Sequence, residues 1–298
     1  MANTRQILQR RKAASNISKV TGTMETIAAV RYRQYYNQWA QGIEYFDALA
    51  QLAYLMVIAE QGVNHPLMKP NSCRTNAVIA IGSNRGLCGG YNAEVFRQID
   101  THIKMAQRFK RELKIYAKGR KVVNYLEHRK VVPDGVYSDF DEVPSAEQVH
   151  QIADHFVKQY LAGHIGRLGV IYNRFHSQTS QKVQTLTILP VTELIDDLTT
   201  RATVIWPWEL AFEDFLLGDN PYDMFETLAT MLIRSALAGC FLEASTSEYL
   251  ARVVSMRNAS DNADQMIQDL TKDYNRARQG QITVELLDII TGVSAAKK

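Results

Sequence analysis

The sequence has little that would cross-link the chain or hold it in a membrane. Three cysteines, Cys73, Cys88 and Cys240, form neither an even set nor a CxxC pair. That argues against a disulfide framework or a structural zinc site. No apolar run approaches the length of a bilayer span without charges interrupting it. The opening MANTRQILQRRKAASN carries basic residues with no apolar core behind them, so a secretory signal is not expected and a reducing, cytosolic setting is. Proline is scarce and confined: all seven lie between Pro66 and Pro221. Two long terminal helices require that distribution, because an interior proline costs about 3 kcal/mol. The net charge of +3 is too small to imply nucleic acid by itself. Across residues 1–40, however, Arg5, Arg10, Arg11, Lys12, Lys19, Arg31 and Arg33 stand against Glu25 alone, an excess that suggests an acidic partner.

At 298 residues, 46% of them apolar and 22% charged, the chain has the composition of an ordinary globular protein. Near its end Tyr249, Val253, Met256, Ser260, Ala263, Ile267, Leu270, Tyr274 and Ala277 alternate spacings of four and three, which is a heptad seam. Arg252, Arg257, Asp261, Asp264, Asp269, Lys272, Asp273 and Arg276 lie between them and are expected to face water or partners. A helix from Asp223 to about Thr291 would run roughly 100 Å and cannot bury its seam alone. At the other end Ile17, Val20, Met24, Ile27 and Arg31 keep the same spacing and are expected to supply the partner stripe.

The middle changes period. Short β-runs at Asn76–Gly82, Leu113–Ala117, Leu168–Phe175 and Lys182–Leu189 are interleaved with helical stretches near Ala93–Arg111, Arg120–His128 and Ala146–Leu161. The fold class expected is α/β: a long antiparallel coiled coil of the N- and C-terminal helices with an inserted Rossmann-like α/β domain. Residues 1–65 would form the first arm, 66–221 the inserted domain and 222–298 the second arm.

The glycine-rich turn Ser83–Asn92 (SNRGLCGGYN) follows a strand and opens a helix, where a dinucleotide site would sit. Gly86, Gly89 and Gly90 do not space as GxGxxG, and no GK[ST] follows, so a tight structural turn is expected and no cofactor. Cys88 reads as a small packing residue. His150 and His155, five apart, do not share a helix face as metal ligands would. Asp134, Asp139, Asp141 and Glu142 fall in a Pro/Gly loop and read as solvated surface. Trp206-Pro-Trp208 reads as cover for a junction between domain and arm. No catalytic constellation emerges.

The turn at 83–92 and the stretch ARVVSMRNASDNADQMIQDLTKDYNRARQGQITVELLDIITG at 251–292 resemble motifs of the γ subunit of F-type ATP synthases, and SKVTGTMETIAAVR at 18–31 is similar more loosely. The resemblance implies a non-catalytic rotary shaft. Its partners would be a hexamer of α and β subunits, the ε subunit and the membrane ring of c subunits. It would lie peripherally at the cytoplasmic face of a bacterial inner membrane, with no insertion and no nucleic acid. By position, Arg278 and Gln279 fall where the shaft catches a β loop, and Thr283 and Glu285 share that motif. Met24, Arg31 and Arg85 fall where shaft and foot meet the acidic lever of β. Gly22 and Glu25 stand where lysine is common in the family. Two other readings remain: a nucleotide-binding enzyme with dimerising arms, marked by a dinucleotide at Gly86–Gly90, and a coiled-coil scaffold, marked by a stable homodimer.

Overall fold

A computed structural model describes residues 4–58, 64–140, 142–178, 180–201 and 220–296. Trp206-Pro-Trp208 and Asp141 lie outside them. In chain order the elements are α1 (Thr4–Ile58), β1 (Thr75–Ile81), α2 (Tyr91–Arg108), β2 (Glu112–Lys118), α3 (Arg120–His128), β3 (Gly135–Tyr137), α4 (Ala146–Leu161), β4 (Arg167–Phe175), β5 (Gln181–Leu189), α5 (Val191–Arg201) and α6 (Pro221–Ala296). The chain divides into two compact units, one of residues 1–29 with 252–298 and one of residues 30–251.

The larger unit is built on a five-stranded sheet of order β3-β2-β1-β4-β5. Only β5 runs antiparallel, paired with β4 as a hairpin. Strand β1 shows why the sheet is buried on both sides. Ala77, Ile79 and Ile81 enter one core with α4, α5 and parts of α1 and α6, while Val78 and Ala80 enter another with α2 and α3. Helix α4 begins with a capping box in which Ser145 and Gln148 each bond the other's backbone N–H.

Helix α6 contains an 18-residue window with a mean hydropathy of 1.4, enough by length and composition to cross a bilayer. Glu226, Arg234 and Glu243 still interrupt this part of the helix, as the sequence implied. Its apolarity has a packing cause, because Phe225, Ala229, Leu232, Ile233, Leu237 and Phe241 are buried against the sheet.

In the smaller unit the two chain ends run antiparallel. Arg11 lies over the ring of Tyr274, Ser18 Oγ donates to Asp264 at 2.8 Å, Gly22 faces Ser260, and Arg257 pairs with Glu25 at 2.9 Å. The α6 seam is the expected one, with Met256 and Ala263 buried and Ser260, Ile267, Leu270, Tyr274 and Ala277 half-buried. The α1 seam is not. The helix turns Ile7, Ala14, Thr21 and Ala28 inward, with Arg11, Ser18 and Glu25 between them. Ile17, Val20, Met24 and Ile27 point outward, 39–58% exposed. The most apolar stripe is therefore not the seam. The true seam lies one residue, about 100°, round the helix, where small side chains let two backbones approach. Arg257 and Asp264, expected to face water or partners, are exposed and also bond across the pair.

Candidate partner-contact surfaces

The glycine-rich turn closes on itself. Ser83 is buried, its N–H donates to Asn92 Oδ1 at 3.1 Å, and its Oγ donates to the Arg85 carbonyl at 2.6 Å. The Asn92 carboxamide returns Nδ2 to Ser83 Oγ at 2.8 Å and to the buried Cys88 Sγ at 3.2 Å. Asn92 thus holds the turn closed through Ser83 and Cys88. Positive φ falls on Leu87 and Gly89, so Gly86 and Gly90 are not required for left-handed backbone. Gly119, with φ +94°, is required: a Cβ there would lie 2.2 Å from the Gly82 carbonyl oxygen.

The strand order reverses direction between β1 and β4, where an open α/β sheet ordinarily holds its ligand. Here helix α6 covers that edge. Tyr91 Oη donates to the Ala244 carbonyl at 3.2 Å, Asn173 Nδ2 donates to the Tyr91 carbonyl at 3.2 Å, and Ser245, Thr246 and Ser247 are buried nearby on α6. Among the described residues no group of three or more His, Cys, Asp or Glu side chains gathers as a metal site.

The acidic loop is not uniformly solvated. Asp134 Oδ2 accepts the Ile115 N–H at 2.8 Å, pinning the loop to β2. Glu142 accepts hydrogen bonds from both Tyr35 of α1 and Tyr249 of α6, whose rings lie 5.7 Å apart. Burial, then the Glu142 hydrogen bond, pushes the Tyr35 phenol far above its usual range. No spacing rule links residues 35, 142 and 249, so sequence alone could not find this node.

Two histidines are structural. His65 Nδ1 accepts the Leu67 N–H at 3.2 Å, and His102 Nε2 lies 2.8 Å from Thr185 Oγ1. Burial lowers both pKa values below the ordinary 6.5, with Arg167 adding to the shift at His102 and Glu226 opposing it at His65. Because the folded values lie below the unfolded one, this contribution to stability is complete above pH 6.5 and fades as pH falls below it. Urea titrations at about pH 7 and about pH 5 are expected to show a lower unfolding free energy in acid, with the drop reduced in His102→Gln. An equal drop in the variant would remove His102 from the account.

The residues singled out for partners lie on exposed surface. Arg278, Gln279, Thr283 and Glu285 are all exposed on α6, where Thr283 Oγ1 donates to the Gln279 carbonyl at 2.9 Å and Gln281 Nε2 to Glu285 at 3.2 Å. Every residue from Gln281 to Ile290 is exposed, including Ile282, Val284, Leu286 and Ile289. Met24 sits in the outward stripe of α1. Arg31 is exposed and donates to Gln34 at 3.2 Å, while Arg85 stands exposed on the glycine-rich turn. Glu25, by contrast, is engaged by Arg257 within the helix pair.

The chain combines long terminal helices with a mixed α/β sheet, and apolar as well as charged helix faces stand outward, a feature common in proteins that bind partners. A family model described as ATP synthase matches residues 3–296. The ATP synthase gamma chain of Rhodopirellula baltica is 34% identical over 296 residues, covering 99% of each chain. Among solved structures, a chain in the rotor of the Euglena gracilis mitochondrial ATP synthase aligns with TM-score 0.59 at 19% identity, over 94% of this chain and 98% of that one. One in the central stalk and c-ring structure of the Tetrahymena thermophila enzyme aligns with TM-score 0.55 at 18% identity, over 81% and 99%. The chain belongs to the ATP synthase gamma-chain family.

Proposed function

We propose that the chain is the central-stalk rotor of an F-type ATP synthase. In this reading it carries rotation of an ion-driven c-ring to the catalytic β subunits and does no chemistry itself. Residues 1–65 and 222–298 serve as the arms and 66–221 as the inserted domain. The complex places it peripherally at the cytoplasmic face of a bacterial inner membrane, against the α/β hexamer, the ε subunit and the c-ring. The neighbours in fold, parts of a rotor and of a central stalk with its c-ring, support this.

The observation that carries the proposal is the inverted patterning of the helix pair. Its inner seam is small and partly polar, while Ile17, Val20, Met24 and Ile27 face outward and residues 281–290 are exposed. Faces of that kind mark surfaces that partners cover. Met24, Arg31 and Arg85 are assigned to the acidic lever of β, by chemistry that pairs apolar and basic groups with apolar and acidic ones. Arg278, Gln279, Thr283 and Glu285 are assigned to the catch on a β loop.

Co-expression with bacterial α and β subunits tests the reading as a whole. Recovery of one copy per hexamer with ATPase activity is expected, and a homodimer that ignores α and β would refute it. The catch has its own test. Arg278→Ala combined with Gln279→Ala should lower ATPase turnover of the reconstituted complex about fivefold, the rate equivalent of about 1 kcal/mol. Helix content should not change, since both side chains are exposed. Unchanged turnover would remove the catch assignment and leave the family untouched.

A further inference from the structure

The larger unit contains a cavity of about 310 Å³ between α1, α6 and the β4–β5 hairpin. Two helical glycines are among the residues that line it. Tyr35 meets Tyr249, and Trp39 Nε1 donates to Glu243 Oε1 at 3.3 Å. Further along the pair, Gly42 of α1 and Gly239 of α6 both line the cavity. A Cβ added at either would meet no heavy atom within 4 Å. Both positions are helix interior, where glycine is less favourable than alanine. Neither glycine therefore fills the space beside it.

The walls have two characters. Trp39, Phe46, Tyr172, Leu186 and Leu198 give an apolar, partly aromatic lining. Among the described lining residues, Asp47 and Glu243 add two carboxylates and Arg174 one guanidinium. An apolar pocket of this size with a few convergent polar groups is the usual form of a small-molecule site.

We propose that this cavity is a binding site for a small apolar amine. The apolar body lies among the aromatic and leucine side chains, and the ammonium is held by the carboxylate excess of Asp47 and Glu243. Burial raises the pKa of Asp47, an electrostatic cost that a bound cation offsets. The inference stands on the cavity alone and does not depend on the rotor reading.

Calorimetric titration of the full chain at neutral pH with three probes on one ring tests it: tryptamine, uncharged 3-ethylindole and anionic indole-3-propionate. Tryptamine should bind at least about tenfold more tightly than 3-ethylindole, with indole-3-propionate weakest. Asp47→Asn should narrow the first gap. Gly239→Leu, which fills the space, should abolish tryptamine binding while the far-ultraviolet dichroism stays that of the parent. Gly42→Leu gives the same reading from the opposite wall should the first variant fail to fold. Equal affinity for all three probes, no heat with tryptamine, or undiminished binding in a folded leucine variant would each overturn the proposal.

Discussion

Glu142→Leu is expected to lower the unfolding free energy of the chain by about 2–4 kcal/mol, although a loop residue ordinarily costs far less. Glu142 is the shared acceptor for two tyrosines, Tyr35 on α1 and Tyr249 on α6, and both rings are largely buried. Leucine removes the acceptor and leaves two phenol donors, each worth about 1–3 kcal/mol when buried without a partner. Glu142→Gln keeps a carbonyl acceptor and should cost less than half as much. An independent readout comes from alkaline pH. The Tyr35 pKa is raised on folding above the ordinary 10.0, so the stability tied to its proton is whole below pH 10 and lost as pH rises beyond it. Losing the Glu142 hydrogen bond, the second cause of that shift after burial, should weaken the alkaline loss. A Glu142→Leu protein as stable as its parent, with the same alkaline profile, would show that the node contributes nothing.

The second large effect separates two neighbouring residues. Ala28→Leu should cost about 1–3 kcal/mol, because Ala28 is 1% exposed in the small-residue seam and extra methyl groups there push two helices apart. Ile27→Ala, next along the chain, should change stability by less than about 0.5 kcal/mol, since Ile27 is 58% exposed. In a reconstituted complex the order should reverse for activity: Ile27→Ala weakens coupling to α and β while the isolated chain keeps its stability. Urea unfolding of the two variants decides the matter. A larger cost at Ile27 would put the stripe Ile17, Val20, Met24, Ile27 back in the seam.

That pair of residues also shows where sequence reasoning stopped. On α6 the 4-3 alternation identified the buried face from Met256 to Ala277, because small and apolar residues coincide there. On α1 they do not coincide. Hydrophobicity marked the outward face, and only the register with Ser260 and Asp264 shows that Ala14, Ser18, Thr21 and Ala28 face in. Helices α3 and α4 were legible to the residue, since Gly119 and Ser145 mark their starts. Strand β3 was not, because three residues carry no readable period and its existence rests on pairing with β2. Helix α5 escaped similarly, lying after Pro190 and packing on β5 through Val191, Leu194 and Ile195. The Glu142 node lay beyond any local pattern, because it joins two helices to the loop before α4.

Two rods bonded along their sides resist flexure far more than one rod alone. In the smaller unit the lateral bonding reaches from Glu25 and Arg257 to Arg11 and Tyr274, and the register brings Thr4, the first residue of α1, to the neighbourhood of Arg278. From Gln281 to Ile290 every side chain is exposed, so no helix of the described residues sheathes that stretch. Compliance is therefore concentrated in that stretch of about three turns. A lone rod bends more readily than a bonded pair, so a sleeve closing around those turns would stiffen them more than any other part of the pair.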